Sequence, residues 1–189
     1  MVSRATRTKR RQAQKYAEKR YERHRRHNLV YAQPGAYQFV VVLDNLKPSF
    51  NIGKIFRSGD AFGARSVHLI GTNFFEVKSA KGSFKWVPAV FNNSFDECYR
   101  QLHPEGYSFF ILEPDAKQSL NEISFPANSA FVFGHEEFGI SFDADKYEGV
   151  SPIRIPQSGK VESLNVSVAA SIVMYEYVRQ MEILLAPHT

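Results

Sequence analysis

The chain has 189 residues, of which 43% are hydrophobic, and a formal net charge of +5. This length suffices to bury a substantial core in one domain, and no apolar run reaches the roughly 18 residues that a membrane-spanning helix needs. We therefore expect no membrane segment, and the Arg-rich start is unlike a signal peptide, which favours a cytoplasmic protein. The single cysteine, Cys98, excludes an internal disulfide, and no His/Cys group has metal-ligand spacing, so we expect no metal.

The positive charge is concentrated at the start of the chain. Residues 1–27 hold eleven Lys and Arg against two Glu, a net +9, whereas the rest of the chain sums to −4. A basic segment of this kind attracts polyanions by releasing their condensed counterions, and Tyr16, Tyr21, His24 and His27 could stack on bases. We predict that this arm contacts nucleic acid and is helical mainly when bound; the alternative is a solvated tail that serves solubility.

A linker with Pro34-Gly35 follows, so that residues 1–36 form an arm and linker distinct from a domain at 37–189. Beyond it, short apolar runs typical of buried strands alternate with segments of helical spacing. The predicted strands are 38–43, 66–70, 107–112, 130–133 and 153–155, and the predicted helices are 51–62, 95–102 and 164–185.

This alternation predicts an α/β fold with a mostly parallel sheet and helices on both faces. In such sheets ligands bind beyond the carboxyl ends of the strands. The polar segments after Leu43, Leu112, Phe133 and Ile155 fall there. The first strand is followed by Asp44-Asn45-Leu46-Lys47-Pro48 without a glycine triplet, which argues against a dinucleotide-binding domain.

Three patches carry unusual chemistry: NIGKIFR at 51–57, GHEEFGIS at 134–141, and IPQSGKVESLNVS running into an apolar helix from residue 155. In this order they resemble the SpoU, or TrmH-type, branch of the SPOUT superfamily over residues 38–185. Members of that branch are RNA methyltransferases that use S-adenosylmethionine to methylate a ribose 2′-hydroxyl. The resemblance implies the same reaction here, on transfer RNA as first choice and ribosomal RNA as second.

The resemblance also implies a fold and a cofactor site. The C-terminal third would be threaded into a deep trefoil knot, an exception to the rule that chains avoid knots. S-adenosylmethionine would lie in that knot, held largely by backbone groups around Leu112, Gly134, Ile155 and Leu164. In this interpretation Gly134 and Gly159 let the main chain approach the ligand closely.

Five residues match the catalytic pattern of the family: Asn51, Arg57, Glu136, Ser163 and Asn165. Guanidinium stays protonated in proteins, so we expect Arg57 to clamp the target phosphate, with Asn51 orienting Arg57 or the ribose. Ser163 and Asn165 would face the ribose, although Ser163 could instead cap the following helix. Glu136 would order its loop; the alternative is a solvated or helix-capping carboxylate.

The last helix is apolar around almost its whole circumference, from Val166 to Leu185. A small sheet covers only one side of such a helix, which predicts a homodimer through it, as in the resembled family; the alternative is a core helix of a monomer. An alternative to the enzyme is a non-catalytic RNA-binding or ribosome-assembly factor on the same fold. Such a factor would not need Arg57, Glu136, Ser163 and Asn165.

Overall fold

The computed structural model of the chain describes residues 4–185 and contains a seven-stranded sheet. The strands are β1 (Val40–Asp44), β2 (Ser66–Ile70), β3 (Ala89–Asn92), β4 (Ser108–Leu112), β5 (Gln118–Ser119), β6 (Ser129–Phe133) and β7 (Val150–Arg154). Their spatial order is β3-β2-β1-β6-β4-β7-β5, and every neighbouring pair is parallel. All carboxyl ends therefore lie at one edge, which confirms the predicted parallel α/β sheet.

Helices cover both faces of the sheet. They are α1 (Arg4–Tyr31), α2 (Phe50–Ala61), α3 (Phe95–Leu102) and α4 (Val166–Leu185). Successive side chains of a strand point to opposite faces: Val41 and Leu43 of β1 join the core with α2 and α4, whereas Val40 and Val42 join the core with α3. A strand buried on both faces must be apolar at consecutive positions, which explains the VVVL run.

The predicted helices agree with the observed ones to within two residues, but two strands were not predicted. β3 and β5 lie at the two edges of the sheet and have four and two residues. An edge strand this short carries too few buried positions to produce a recognisable hydrophobic pattern. The segment 77–87 before β3, for which no helix or strand was predicted, contains two short 3-10 helices, Val77–Ala80 and Ser83–Lys85.

Helix α1 packs against the domain through its C-terminal third. The Tyr21 side chain is buried, and its hydroxyl donates to the Asn73 carbonyl over 2.7 Å. Seven residues later, Asn28 Nδ2 donates to the carbonyls of Phe84 and Val87, each over 2.7 Å. These bonds fix α1 against the segment that joins β2 to β3.

This packing corrects one expectation about the arm. Residues 4–31 form one continuous helix, and a dependence of that helix on bound nucleic acid stays a prediction. Tyr21 and His24 are buried, which means that the prediction of free stacking rings is wrong for both, and His27 packs edge-on against Trp86 with ring centroids 4.7 Å apart. Tyr16 alone of the four is largely exposed, at 70%.

Helix α4 buries one face and exposes the other. The buried face comprises Ala170, Val173, Met174, Tyr177 and Met181, and the exposed apolar side chains are Val168, Tyr175, Ile183 and Leu184. The helix is therefore not covered all round by its own chain. Within residues 4–185 we find no helix with the length and apolar character needed to cross a bilayer.

Candidate active site

A pocket of about 760 Å³ opens at the carboxyl edge of the sheet. Its walls come from four segments: 112–115 after β4, 133–140 after β6, 155–157 after β7, and 162–169 at the start of α4. Three of the four polar segments singled out in the sequence therefore meet here. The fourth, after β1, is bonded to this wall, since the backbone N–H of Lys47 donates to Glu136.

The four residues predicted to hold a cofactor all line this pocket. They are Leu112, Gly134, Ile155 and Leu164. Their role in binding stays a prediction. The structure does explain why residue 134 is a glycine, independently of any cofactor. A Cβ at Gly134 would overlap the carbonyl carbon of Gly139, so glycine is required for the loop to close on itself. Gly159 has no atom within 4 Å of a built Cβ, and nothing in its surroundings requires a glycine.

A chain of hydrogen bonds connects three of the predicted catalytic residues. Asn165 Nδ2 donates to Asn51 Oδ1 over 3.3 Å, and Asn51 Nδ2 donates to Glu136 Oε1 over 3.0 Å. The second carboxylate oxygen of Glu136 accepts the backbone N–H of Lys47 over 3.1 Å. These bonds join Asn165 to Asn51, 114 residues apart in sequence, and Asn51 to Glu136, 85 residues apart. Because a carboxylate only accepts, the bonds also fix which end of each amide is the oxygen and which is the nitrogen.

Asn165 also begins helix α4. Its Oδ1 accepts the backbone N–H of Ser167 over 3.0 Å and the Ser167 hydroxyl over 2.6 Å, while its carbonyl accepts from the amides of Val168 and Ala169. Asn165 is therefore the N-cap, a position that Asn favours strongly. The alternative in which Ser163 caps the helix is wrong. Ser163 is exposed and lines the pocket instead.

Glu136 is held as a carboxylate. Partial burial opposes ionisation, but hydrogen bonds from Asn51 and from backbone amides, that of Lys47 among them, lower the pKa of Glu136 below its ordinary value. A carboxylate with a lowered pKa is a weak proton acceptor, so this geometry suits Glu136 to positioning rather than to general base catalysis. The backbone N–H of Lys47 belongs to the segment after β1, so the hydrogen bond that Glu136 accepts from it joins this segment to the loop of Glu136. The ordering role expected of Glu136 stays a prediction.

Hydrogen bonds hold the loop that carries Glu136 in place, both within the loop and to β1. His135 and Gly139 exchange backbone hydrogen bonds of 2.8 and 2.9 Å, which makes residues 135–139 a tight turn. Two residues later, the Ser141 amide and hydroxyl both donate to the carboxylate of Asp44, which is fully buried at the end of β1. Sequence reasoning missed Asp44. The available signal was an acidic residue directly ending an apolar strand.

Arg57 is not brought into the pocket wall. It lies on α2 six residues beyond Asn51, about 9 Å along the helix axis, and its side chain is exposed. Lys54 is exposed one turn before it on the same helix. Helix α2 packs on α4 beside them, with the hydroxyls of Ser58 and Ser171 2.8 Å apart. Of the five predicted catalytic residues, the structure therefore brings together Asn51, Glu136, Ser163 and Asn165 through hydrogen bonds and shared pocket lining, whereas Arg57 is not among the lining residues.

The pocket wall is acidic and apolar. Five of its side chains are carboxylates, and among the described residues that line it none is Lys or Arg. The acidic residues are Glu113, Asp115, Glu136, Glu137 and Glu162. Such a wall favours a ligand that carries positive charge and has an apolar part. Nowhere in residues 4–185 do three or more His, Cys, Asp or Glu side chains cluster as metal ligands would.

Comparison with known proteins identifies the family. The model of the SpoU rRNA methylase family matches residues 38–175, which include every predicted site residue. This chain belongs to the SpoU methylase family. It is 34% identical over 146 residues to the tRNA (guanosine(18)-2′-O)-methyltransferase of Thermus thermophilus, with 74% of each chain covered. It is 32% identical over 174 residues to the 23S rRNA (guanosine-2′-O-)-methyltransferase RlmB of Xylella fastidiosa, covering 89% of this chain and 69% of that one.

Solved SpoU structures share the fold described above. The TrmH/SpoU tRNA modifying enzyme of A. aeolicus superposes with a TM-score of 0.72 at 26% identity, over 89% of this chain and 86% of that one. The SpoU methyltransferase AviRb of Streptomyces viridochromogenes, in complex with the cofactor AdoMet, gives a TM-score of 0.67 at 27% identity, over 78% and 58%. The parallel sheet with its helices thus matches solved SpoU methyltransferase structures.

Proposed function

We propose that this SpoU protein transfers the methyl group of S-adenosylmethionine to a ribose 2′-hydroxyl of structured RNA. The observation that carries the proposal is the hydrogen-bonded chain from Asn165 through Asn51 to Glu136, which unites all three family patches at one pocket. The relatives named as tRNA and 23S rRNA 2′-O-methyltransferases support the same reaction. Transfer RNA is our first candidate substrate and ribosomal RNA the second.

The pocket fits the cofactor by its chemistry. Leu112, Gly134, Ile155 and Leu164 would surround the adenosine, and the acidic wall suits the sulfonium and ammonium charges. The cofactor supplies an activated methyl group on positively charged sulfur. We place it within a trefoil knot formed by the C-terminal third of the chain, in the domain at 37–189. Membership of the SpoU family supports this threading.

The protein's own residues position the acceptor ribose. Ser163 and Asn165 face the pocket at the start of α4, where a hydroxyl and an amide can bind the ribose oxygens. Glu136 keeps Asn51 and Asn165 in one orientation, so little reorganisation is needed when RNA binds. Arg57 would bind the phosphate of the target nucleotide in a bidentate manner and polarise the 2′-hydroxyl, whose proton would pass to solvent water as the O–CH3 bond forms and the S–CH3 bond breaks. Because guanidinium stays protonated, Arg57 is not the proton acceptor.

Helix α1 would deliver the second RNA contact. Asn28 bonds to residues at the amino end of β3, whereas Tyr21 bonds to Asn73 just beyond the carboxyl end of β2. Read toward its N-terminus, α1 therefore runs to the edge of the sheet that holds the pocket. Residues 4–19 continue for about 24 Å past Arg20, and residues 1–19 contain seven Lys and Arg against one Glu. A phosphate backbone lying along this helix would approach the pocket.

A homodimer through α4 is part of this proposal. Val168, Tyr175 and Ile183 recur at helical spacing on its exposed face, and each is about half exposed. A second copy would cover this face by two-fold symmetry. Sedimentation as a monomer at micromolar concentration would contradict the dimer. The cytoplasmic location expected from the sequence likewise stays a prediction.

Incubation with methyl-labelled S-adenosylmethionine and total RNA tests the function. A 2′-O-methyl group removes the nucleophile of alkaline cleavage, so we expect the label in alkali-resistant dinucleotides at one or a few positions. Label recovered only in methylated bases would reject ribose methylation. RNA binding without any transfer would favour the non-catalytic assembly factor.

A further inference from the structure

The ring of Phe138 is presented to solvent beside the site. Its side chain is 77% exposed, although it belongs to the tight turn that carries Glu136. A single exposed apolar side chain is ordinary on a protein surface and needs no explanation by itself. Three features of the surroundings distinguish this one.

The first feature is that the ring is backed by another ring. Phe138 stacks on the imidazole of His135, with centroids 4.7 Å apart and planes inclined by 23°. His135 is held in turn, because its Nδ1 accepts the backbone N–H groups of Glu137 over 3.0 Å and of Phe138 over 3.3 Å. One face of the phenyl ring is therefore occupied by a fixed partner, and the opposite face is open.

The second feature is the anchoring of the turn. Glu137, the residue before Phe138, forms an ion pair with Lys47 Nζ over 2.9 Å. Glu136 accepts hydrogen bonds from the Asn51 side chain and from the backbone N–H of Lys47. The buried Asp44 holds the base of the turn through Ser141. With its backbone fixed on both sides, the turn loses little conformational entropy when a partner stacks on the ring.

The third feature is the position and charge of the neighbourhood. Phe138 does not itself line the pocket, but its chain neighbours Glu137 and Gly139 do, which places the turn that carries the ring at the pocket wall. The segment bonded to this turn contributes Phe50, 58% exposed, and the half-exposed Lys47. Helix α2 continues with the exposed Lys54 and Arg57. Lys47 is paired with Glu137, and the pocket wall behind the turn is acidic, so the positive charge on this side comes from Lys54 and Arg57. An exposed ring near these cations suits a nucleobase attached to phosphates.

We propose that the open face of Phe138 is a stacking surface for an unpaired nucleobase of the substrate RNA, next to the ribose that is methylated. The proposal rests on the RNA methyltransferase function proposed above. Proteins that read RNA commonly take a splayed base onto an aromatic ring. Stacking accepts every base, since each has a π face. Phe138 would therefore select for an unpaired nucleotide at the site and contribute little to the choice among bases.

Substitutions at this single position test the proposal. Phe138→Leu keeps an apolar side chain of similar size and removes the ring, whereas Phe138→Trp enlarges the ring. We expect the KM for RNA to rise about tenfold in the Leu variant and to stay within about twofold of the parent in the Trp variant. Melting temperature and S-adenosylmethionine affinity, measured in both, exclude misfolding as the cause. An unchanged KM in the Leu variant would overturn the proposal.

A fluorescence measurement distinguishes this proposal from the function on which it rests. The chain has one Trp, so the double variant Trp86→Phe/Phe138→Trp reports from position 138 alone. Stacking on a base should quench its emission when bulk tRNA is added, with or without methyl transfer; bound tRNA that leaves the emission unchanged would overturn the proposal. A change of sedimentation in Phe138→Leu, with RNA binding intact, would assign the ring to a protein contact and would also overturn it. Absence of transfer by the parent protein would reject only the enzyme function.

Discussion

At the scale of single residues, the side-chain amide of Asn165 both caps a helix and bonds to a site residue. Its oxygen caps α4 through Ser167, and its nitrogen donates to Asn51. The sequence allowed the prediction that a polar pair precedes the helix, but not which member caps it. The choice depends on the backbone at residues 163–167, and both Ser and Asn are good caps. Asp44 was missed for a related reason, since its partner Ser141 is 97 residues away.

Two substitutions at Asn165 separate these tasks. Asn165→Ala removes both, so we expect a decrease of about 1 kcal/mol in the free energy of unfolding together with a loss of methyl transfer. Asn165→Ser keeps a capping oxygen but lacks the amide nitrogen that reaches Asn51. We expect it to retain parental stability and to reduce transfer by tenfold or more, on the order expected for a mispositioned group. Chemical denaturation and single-turnover assays measure the two effects, and a fully active Ser variant would contradict the positioning role.

Arg57 gives the second residue prediction. Removing its guanidinium in Arg57→Ala should lower the transfer rate by roughly 100-fold or more, because the target phosphate no longer has its charged donor. Affinity for RNA should change little, since many other groups still bind phosphates. Arg57→Lys keeps the positive charge but lacks the bidentate fork of guanidinium, so its transfer rate should lie between those of the parent protein and of Arg57→Ala. Lys54→Ala, one turn away, is the matched control, and an equal decrease there would show that only surface charge matters.

At the scale of elements, α1 shows what charge counting leaves out. Its net charge was evident in the sequence, whereas its docking was not, because the helix lacks a conventional apolar stripe. The docked residues Tyr21, His24 and Asn28 do follow helical spacing, but each has a polar group. The Tyr21 hydroxyl and the Asn28 amide are satisfied by specific carbonyl partners, that of Asn73 for Tyr21, whereas His24 Nδ1 is buried without a hydrogen-bond partner among the described residues. These carbonyl partners cannot be read from the local sequence.

The docking of α1 should weaken in acid. Burial lowers the pKa of His24, with the positive charges of Lys85, Arg23, Arg20 and His27 acting in the same direction. The docked state thus favours the neutral ring. Its contribution is full above the ordinary histidine pKa of about 6.5 and declines as pH falls below that value. We expect hydrogen exchange at residues 21–31, corrected for intrinsic rates, to be less protected at about pH 5.5 than at about pH 7.5.

The variant His24→Gln is the control for that measurement. Glutamine does not titrate, so the difference in protection between the two pH values should shrink. A pH dependence that is the same in the parent and in His24→Gln would assign the effect to other groups.

A deletion tests the exposed part of α1 separately from its docked part. Removing residues 1–19 leaves the packed Tyr21 and Asn28 in place and removes seven basic residues. RNA affinity should fall, and the slope of log K against log salt should become shallower by about 0.7–0.9 for each phosphate that the protein no longer neutralises. An unchanged slope would show that this charge does not contact RNA.

At the scale of the whole molecule, the parallel sheet accounts for the site. Its carboxyl ends gather segments far apart in sequence, and this could be predicted from the alternation of strands and helices alone. The buried strands were apolar at consecutive positions and were found, whereas the edge strands β3 and β5 were not. The bonds that lock the pocket wall, from Asn51 to Glu136 and from Ser141 to Asp44, became visible only in three dimensions.

The central claim is that the methyl acceptor is a ribose oxygen, and it is tested by removing that oxygen. Once the modified position is mapped, the RNA can be synthesised with a single 2′-deoxynucleotide there and compared with the all-ribose molecule under saturating S-adenosylmethionine. We predict full labelling of the ribose form and none of the deoxy form, with similar binding of both. Equal labelling of the deoxy RNA would place the methyl group on a base and contradict the account.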